Sequence, residues 1–182
     1  MESLKSVTFR IANHADLPNL VTLINSAYRG ESSKKGWTTE ADLLGGQRVD
    51  LAMLQEIVSR EHSFLIMGDS GTSKPVACVH LLKKDEKTAY LGLLTISPEL
   101  QAGGMGSELL KFSEKFCAEK LHSSVIEMTV ITLRTELVAW YERRGFKQSL
   151  EKRPFPKGDP KFGLPKREDL VFVVMRKEIL TV

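Results

Sequence analysis

The stretch AYLGLLTISPELQAGGMGSELL, Ala89–Leu110, sets three glycines within four residues, Gly103, Gly104 and Gly106, between two dissimilar segments. Before them, AYLGLLTI is apolar almost throughout and reads as a strand buried on both faces. After them, SELLKFSEKFCAEKL has helical spacing, with Leu109, Phe112, Phe116 and Cys117 on one side. A strand–glycine–helix junction lets backbone N–H groups converge on an anion, and the helix dipole adds to the attraction. Glycine serves there because a Cβ blocks close approach and resists positive φ. Two phosphate loops fail the comparison. The dinucleotide fingerprint needs a third glycine where Leu109 stands, and no G-K-[ST] run marks a nucleotide P-loop. On the glycines alone, a tight turn without a ligand stays open.

On either side of this junction the pattern alternates between strands and helices. VTFRIA reads as a first strand, and ADLPNLVTLINSAYRG as a helix with Leu17, Leu20, Ile24, Ala27 and Tyr28 on one face. The polar stretch ESSKKGWTTEADLLGGQRVD is glycine-broken, with a short helical piece expected near Thr39. Asp50 is placed to cap a second helix, LAMLQEIVSR. SFLIMGD and KPVACVHLLKK read as strands joined by the turn SGTSK. SSVIEMTVI is a further strand, RTELVAWYERRGF a helix that Gly145 ends, and LVFVVMRK a last strand. The tail EKRPFPKGDPKFGLPKRED, with four prolines, reads as a long loop. Hairpin-linked strands thus give way to helix-linked ones. This predicts an α/β fold on a mixed sheet, antiparallel first and parallel at the helical crossovers.

The 182 residues are enough for one domain with a sizeable core, expected over residues 1–182. A net charge of +3, with lysine and arginine spread along the chain, gives no argument for a nucleic-acid partner. No apolar run approaches a membrane span, and MESLKSVTFR lacks the apolar core of a signal peptide. Cys78 and Cys117 lie in apolar segments, as reduced core thiols do, and no Cys or His cluster suggests a metal. A reducing, cytoplasmic setting is expected. The oligomeric state, homodimer included, is left open.

Pro98, Gln101, Gly104 and Gly106 resemble the [QR]-x-x-G-x-[GA] signature of the GNAT superfamily of N-acetyltransferases. WYERRGF, with Tyr141, Gly145 and Phe146, resembles the end of that family's next β–α unit, and the order of elements over residues 7–177 is similar. The resemblance implies a GNAT-type sheet of about seven strands, opened by a V-shaped splay. It implies acetyl-CoA as cosubstrate and no metal. Gly92 inside its strand marks a bulge, which the family carries there. Backbone groups of Leu94, Thr95 and Ile96 are then expected to hold the pantetheine arm. The loop of Gln101, Ala102, Gly103, Gly104, Met105, Gly106 and Ser107 is expected at the pyrophosphate. Arg134 stands where many relatives have an asparagine at the cofactor.

The implied reaction is attack of a primary amine on an acetyl thioester. Tyr141 is the candidate general acid: the family often uses this tyrosine so, and phenol and thiol pKa values of ~10 and ~8.5 are close enough for proton transfer. A lysine-like amine costs about 4.6 kcal/mol to deprotonate at pH 7, an α-amine only about 1.4 kcal/mol, so an alkylamine demands a base. Glu127, the acid embedded in the central apolar strands, is the candidate base, with His80 as runner-up. Trp37, Glu40, Arg48 and Phe155, from GWTTEADLLGGQRVD and RPFPKGDPKFGLP, are candidates for the acceptor pocket. The acceptor is a small-molecule amine, an amino acid or a peptide N-terminus. A non-catalytic acyl-CoA sensor on the same fold is the alternative, and retention of Tyr141 weighs against it.

Overall fold

The computed structural model describes residues 7–72, 74–156 and 158–180. Residue 73 of the SGTSK turn, residue 157 of the RPFPKGDPKFGLP loop and the chain ends lie outside the described residues. In chain order come β1 (Thr8–Ile11), α1 (Leu17–Tyr28), α2 (Gly30–Ser33), β2 (Leu44–Gly45) and α3 (Leu51–Ser59). Next are β3 (Ser63–Asp69), β4 (Ala77–Lys83), β5 (Thr88–Ile96), α4 (Met105–Lys120), β6 (Val125–Ile131) and α5 (Thr135–Glu142). The chain closes with β7 (Lys147–Pro154), β8 (Leu164–Pro165) and β9 (Val171–Glu178).

Seven strands form one sheet in the order β1–β3–β4–β5–β6–β9–β7, and β2 pairs with β8 apart from it. Every neighbouring pair is antiparallel except β5–β6, which α4 joins. The mixed sheet expected from the element order is therefore present. Asp50 caps α3 as read, accepting from the Met53 N–H at 2.8 Å. Gly145, at φ +90°, ends α5 while the Phe146 N–H bonds back to the Tyr141 carbonyl.

Two apolar layers cover the sheet. Leu17, Leu20 and Ile24 of α1 and Leu54 of α3 pack on Leu65, Met67 and Cys78. Leu109, Phe116 and Cys117 of α4 and Tyr141 of α5 pack on the other face, with Val79, Leu81, Leu91, Ile126 and Val173. Side chains of a strand alternate between faces. In β5 the alternation breaks: Leu91 belongs to the α4 layer and Leu93, two residues on, to the α1 layer. The cause is a bulge. Cys78 pairs with Thr95 and His80 with Gly92, so Leu93 and Leu94 together oppose Val79. Leu93 takes the left-handed φ of 51° that this requires. The bulge expected at Gly92 lies one residue further along.

β5 and β6 then part. Their parallel register runs from Thr88↔Val125 to Tyr90↔Glu127 and stops, while β6 continues along β9 to Ile131↔Phe172. The expected splay is thus present, between residues 91–96 and 128–131.

Two expectations for the connections need correction. The first four residues of the tail read as loop, Glu151–Pro154, belong to β7, an edge strand whose sequence KQSLEKRP is mostly exposed and whose register on β9 shifts between Gln148 and Lys152. With neither face buried, it carries no alternation to read. The helical piece expected near Thr39 is a turn in which the Glu40 carbonyl accepts from Leu43 and Leu44 before the chain enters β2. Among the described residues no helix is long and apolar enough to cross a membrane.

Cys78 and Cys117 are free and buried, and burial pushes both thiols up to about 12. At pH 8 the thiolate fraction is then on the order of 10⁻⁴. A chromogenic disulfide reagent should leave the native protein unlabelled over an hour and titrate both thiols in denaturant; fast native labelling would mean that the layers open.

Candidate active site

Two cavities open in the splay. The larger, about 340 Å³, lies between Tyr90–Leu94 of β5 and Met128–Ile131 of β6, and reaches Tyr28, Arg29, Glu40, Arg48, Phe155 and Phe162. The smaller, about 190 Å³, lies against the glycine loop and α5. Tyr28, Leu94, Arg134, Leu137 and Tyr141 line both, so they form the wall between them.

The glycine loop shapes the smaller cavity. Gly104, at φ +88°, turns the chain into α4, and a Cβ there would meet nothing within 4 Å. The first loop N–H to bond back is that of Ser107, to the Gly104 carbonyl at 2.9 Å. The N–H groups of Gly103, Gly104, Met105 and Gly106 have no acceptor among the described residues, as at any helix start. That is a cradle of free donors with open space in front. Ile96, Gln101, Ala102, Gly104, Gly106 and Ser107 line the cavity; Thr95, Gly103 and Met105 do not. Thr95 is buried, its hydroxyl donating to the Leu93 carbonyl at 2.8 Å.

Gln101 has a more local task than its motif implies. Its Oε1 accepts from the Trp37 N–H at 3.0 Å and its Nε2 donates to the Ile96 carbonyl at 3.2 Å. It fastens the segment 36–38 over the end of β5. Gly36 makes this possible, since a Cβ there would fall 2.3 Å from Oε1. Trp37 accordingly lines the smaller cavity beside Trp140, ring centroids 6.3 Å apart, while the other acceptor-pocket candidates, Glu40, Arg48 and Phe155, line the larger.

Tyr141 is 5% exposed and packs edge-on against Trp140 and Phe146. Its hydroxyl makes no hydrogen bond among the described residues. Burial pushes its pKa above the ordinary phenol value, with the nearby Tyr28 adding to the rise. The hydroxyl therefore keeps its proton across the physiological range. Tyr28 was read as helix packing and has a further role, its hydroxyl donating to the Leu94 carbonyl at 2.8 Å. Arg144 was also overlooked. Its guanidinium lies 3.6 Å over the Trp140 ring and bonds Ser107 Oγ at 2.7 and 3.1 Å. Its spacing of four residues from Trp140 on α5 was the available signal.

The larger cavity contains a buried ion cluster. Glu40 pairs with Arg29 and, at 2.7 Å, with Arg134, whose other nitrogen bonds the Thr38 carbonyl. Burial would raise the Glu40 pKa, but Arg134, Arg29 and Arg48 hold it below the usual carboxylate range. Arg134 thus spends its hydrogen bonds on residues 38–40. Phe155 is buried in the far wall, and Arg48 lies over the Tyr28 ring at 5.4 Å. His80 bonds Ser63 Oγ at 2.9 Å, and burial pulls its pKa down to about 4.

Glu127 lines neither cavity. Lys84 at 2.7 Å and Arg153 at 3.1 Å bond one oxygen, and Arg176 at 2.9 Å bonds the other. Burial would raise its pKa, but these three cations outweigh burial and hold the carboxyl below the usual range. A carboxylate with both oxygens occupied and its basicity lowered is a poor proton acceptor. The expectation of Glu127 as base is therefore corrected: its role is to tie β6 to β7, β9 and the β4–β5 turn.

A model of the acetyltransferase (GNAT) family matches residues 20–146. A comparison with curated protein sequences returns no match. Among solved structures, an N-acetyltransferase from Staphylococcus aureus Mu50 is 9% identical, covers 95% of this chain and 97% of its own, and has a TM-score of 0.70. A ribosomal-protein-alanine N-acetyltransferase from Brucella melitensis is 18% identical, covering 94% and 99%, with a TM-score of 0.67. A spermidine N-acetyltransferase from Vibrio cholerae, in complex with CoA and spermine, is 15% identical, covering 96% of each chain, with a TM-score of 0.67. At these identities the likeness is one of fold.

The Glu127 cluster predicts a pH signature. Its lowered pKa gives stability that is present above the ordinary carboxylate pKa and lost as pH falls through the folded value. Glu127→Gln should cost about 1–3 kcal/mol at pH 7, the range for hydrogen bonds to a charged group whose partners remain partly solvated. Urea melts should show the gap between variant and wild type narrowing below about pH 4. A gap that does not depend on pH would mean that packing, not charge, is lost.

Proposed function

Because the chain belongs to the GNAT family of acetyltransferases, we propose that it transfers the acetyl group of acetyl-CoA to a primary amine held with it in one ternary complex. The observation that carries this reading is the wall shared by the two cavities, in which the unpartnered Tyr141 hydroxyl stands between the glycine loop and the ion cluster.

The smaller cavity suits the pyrophosphate portion of acetyl-CoA, a molecule too large for its roughly 190 Å³ to enclose whole. Free N–H groups from Gly103 to Gly106, the left-handed Gly104 and the open space before it suit a pyrophosphate. We assign Leu94, Thr95, Ile96 and the loop Gln101–Ser107 to its binding, with Arg144 and Trp37 added and Arg134 at the junction. The cosubstrate supplies the activated acetyl thioester. This chain supplies orientation, exclusion of water and a proton at Tyr141 Oη for the departing thiolate.

The acceptor amine belongs in the larger cavity. The neighbours named for spermidine and for a ribosomal-protein alanine illustrate how widely acceptors differ on this fold. Here a small-molecule amine, an amino acid or a peptide N-terminus is the class. No strong base faces the cavity among the described residues: Glu40 is paired twice and His80 is weakened by burial. Arg29, Arg48 and Arg134 instead favour the neutral form of a bound amine, since like charges disfavour an ammonium. Its proton leaves to water before attack.

Three measurements test this. Tyr141→Phe keeps the ring, so acetyl-CoA affinity by calorimetry should be nearly unchanged while single-turnover acetyl transfer falls roughly 10²-fold. In wild type the rate should rise with pH as the amine deprotonates, with no descending limb from Tyr141 up to about pH 10. Full transfer by Tyr141→Phe would remove the acid role. Gly103→Asp adds a negative charge at a position of ordinary φ with room for a side chain. Repulsion on the order of 4 kcal/mol at 4 Å, reduced by salt, should weaken acetyl-CoA binding by at least tenfold. Unchanged affinity in a folded variant would move the phosphates elsewhere.

A further inference from the structure

The ionisable groups around the larger cavity are unbalanced. Three guanidinium groups, Arg29, Arg48 and Arg134, face one carboxylate, Glu40, so two positive charges are uncompensated. His80 adds none, because burial keeps its imidazole neutral at physiological pH. Glu40 is bonded on both oxygens by Arg29 and Arg134. The Arg48 guanidinium is left with the Tyr28 ring as its contact and makes no hydrogen bond or ion pair among the described residues. Nor is Arg29 fully used: its Nε is buried without an acceptor. The Arg48 guanidinium therefore lacks an anion, and one buried N–H of Arg29 lacks an acceptor. Away from them the wall is apolar, formed by Leu44, Val49, Met53, Ile57, Phe155 and Phe172.

We propose that the acceptor is an α-amino acid with an apolar side chain, whose carboxylate is bound by Arg48 in the cationic wall of the larger cavity. The proposal rests on the acetyltransferase reading and narrows it. The anionic groups of the cosubstrate do not account for these charges, because Arg48 and Arg29 do not line the cavity at the glycine loop. A polyamine would bring further positive charge to a wall already in excess. A peptide N-terminus presents a neutral amide where an amino acid presents its carboxylate. Charge-assisted, bidentate pairing with arginine distinguishes those two chemistries. A cavity of about 340 Å³ accommodates an amino acid with a large side chain and lies at the small end of the range for small-molecule sites. The same excess charge lowers the pKa of the bound α-amine, which suits a site without a strong base.

The test is a ranking by charge, read twice. Calorimetry on the intact protein with coenzyme A present, and kcat/KM with acetyl-CoA, would compare L-phenylalanine, L-methionine, glycine, L-phenylalaninamide and spermidine. The two apolar amino acids should exceed the amide by at least roughly tenfold, with spermidine weakest. Arg48→Gln should bring acid and amide close to parity, and Arg48→Lys should restore part of the preference. Equal binding of acid and amide, a preference for spermidine, or an unaltered ratio in a folded Arg48→Gln would overturn the proposal. Glycine binding as tightly as phenylalanine would remove its apolar half. Failure of acetyl-CoA to bind, or of every amine to react, would count against the acetyltransferase reading instead. The calorimetric ranking of acid, amide and polyamine would still decide the charge rule.

Discussion

The left-handed turn at Leu93 is the constraint from which the site follows. One extra residue in β5 reverses the parity of the strand, so that Leu91 and Leu93 pack into opposite layers. Beyond it Leu94 and Ile96 point where odd positions pointed before, and both reach the smaller cavity. The pairing of β5 with β6 has already ended at Tyr90. A continuous parallel pair would have filled the space between residues 91–96 and 128–131 with backbone hydrogen bonds. The bulge and the divergence leave that edge of β5 open instead. Holding a leucine at φ 51° costs on the order of 1 kcal/mol, which its burial against the α1 layer offsets.

Two buried carboxylates show how similar clusters serve different ends. Glu127 draws Lys84 from the β4–β5 turn, Arg153 from β7 and Arg176 from β9; all three keep partial contact with water, and the two arginines also pair with Glu151. The excess charge there is solvated, and the cluster acts as a rivet. Glu40 draws Arg29 and Arg134 into side-chain exposures of 5% and 10%, with Arg48 nearby. The charge left over in that setting sits on half-buried Arg48 at the cavity wall. One excess is spent on holding strands together and the other faces a cavity.

What was legible in the sequence was local. Asp50 caps α3, Gly145 ends α5, and the strand–glycine–helix junction stands where Ala89–Leu110 placed it, because each depends on residues within one or two turns. The misreadings are long-range. Glu127 looked isolated among apolar residues, yet its partners lie 26, 43 and 49 residues away. Tyr28 fitted a helix face, and nothing nearby indicated a bond to a carbonyl 66 residues on. Edge strand β7 escaped because a bulged, doubly exposed strand has no period, and Leu150, wholly in solvent, even suggests the wrong face. Trp37 lies apart from Glu40, Arg48 and Phe155, with which the sequence groups it, because its backbone N–H is bonded to Gln101, 64 residues away.

The chain has two tryptophans, and both border the glycine-loop cavity, with the Arg144 guanidinium against one ring. All indole emission thus originates from one corner of the molecule, with Trp37 in partial contact with water and Trp140 beneath a cation. An occupant of that corner alters the polarity around both fluorophores at once, so the protein carries its own optical reporter of occupancy. The same arrangement gives the signal a narrow field of view. It follows the strap of residues 36–38 and the last turn of α5, while the β1–β3–β4 half of the sheet, with no indole, is silent to it. An emission trace and a far-ultraviolet dichroism trace on this protein therefore watch different parts of the same molecule.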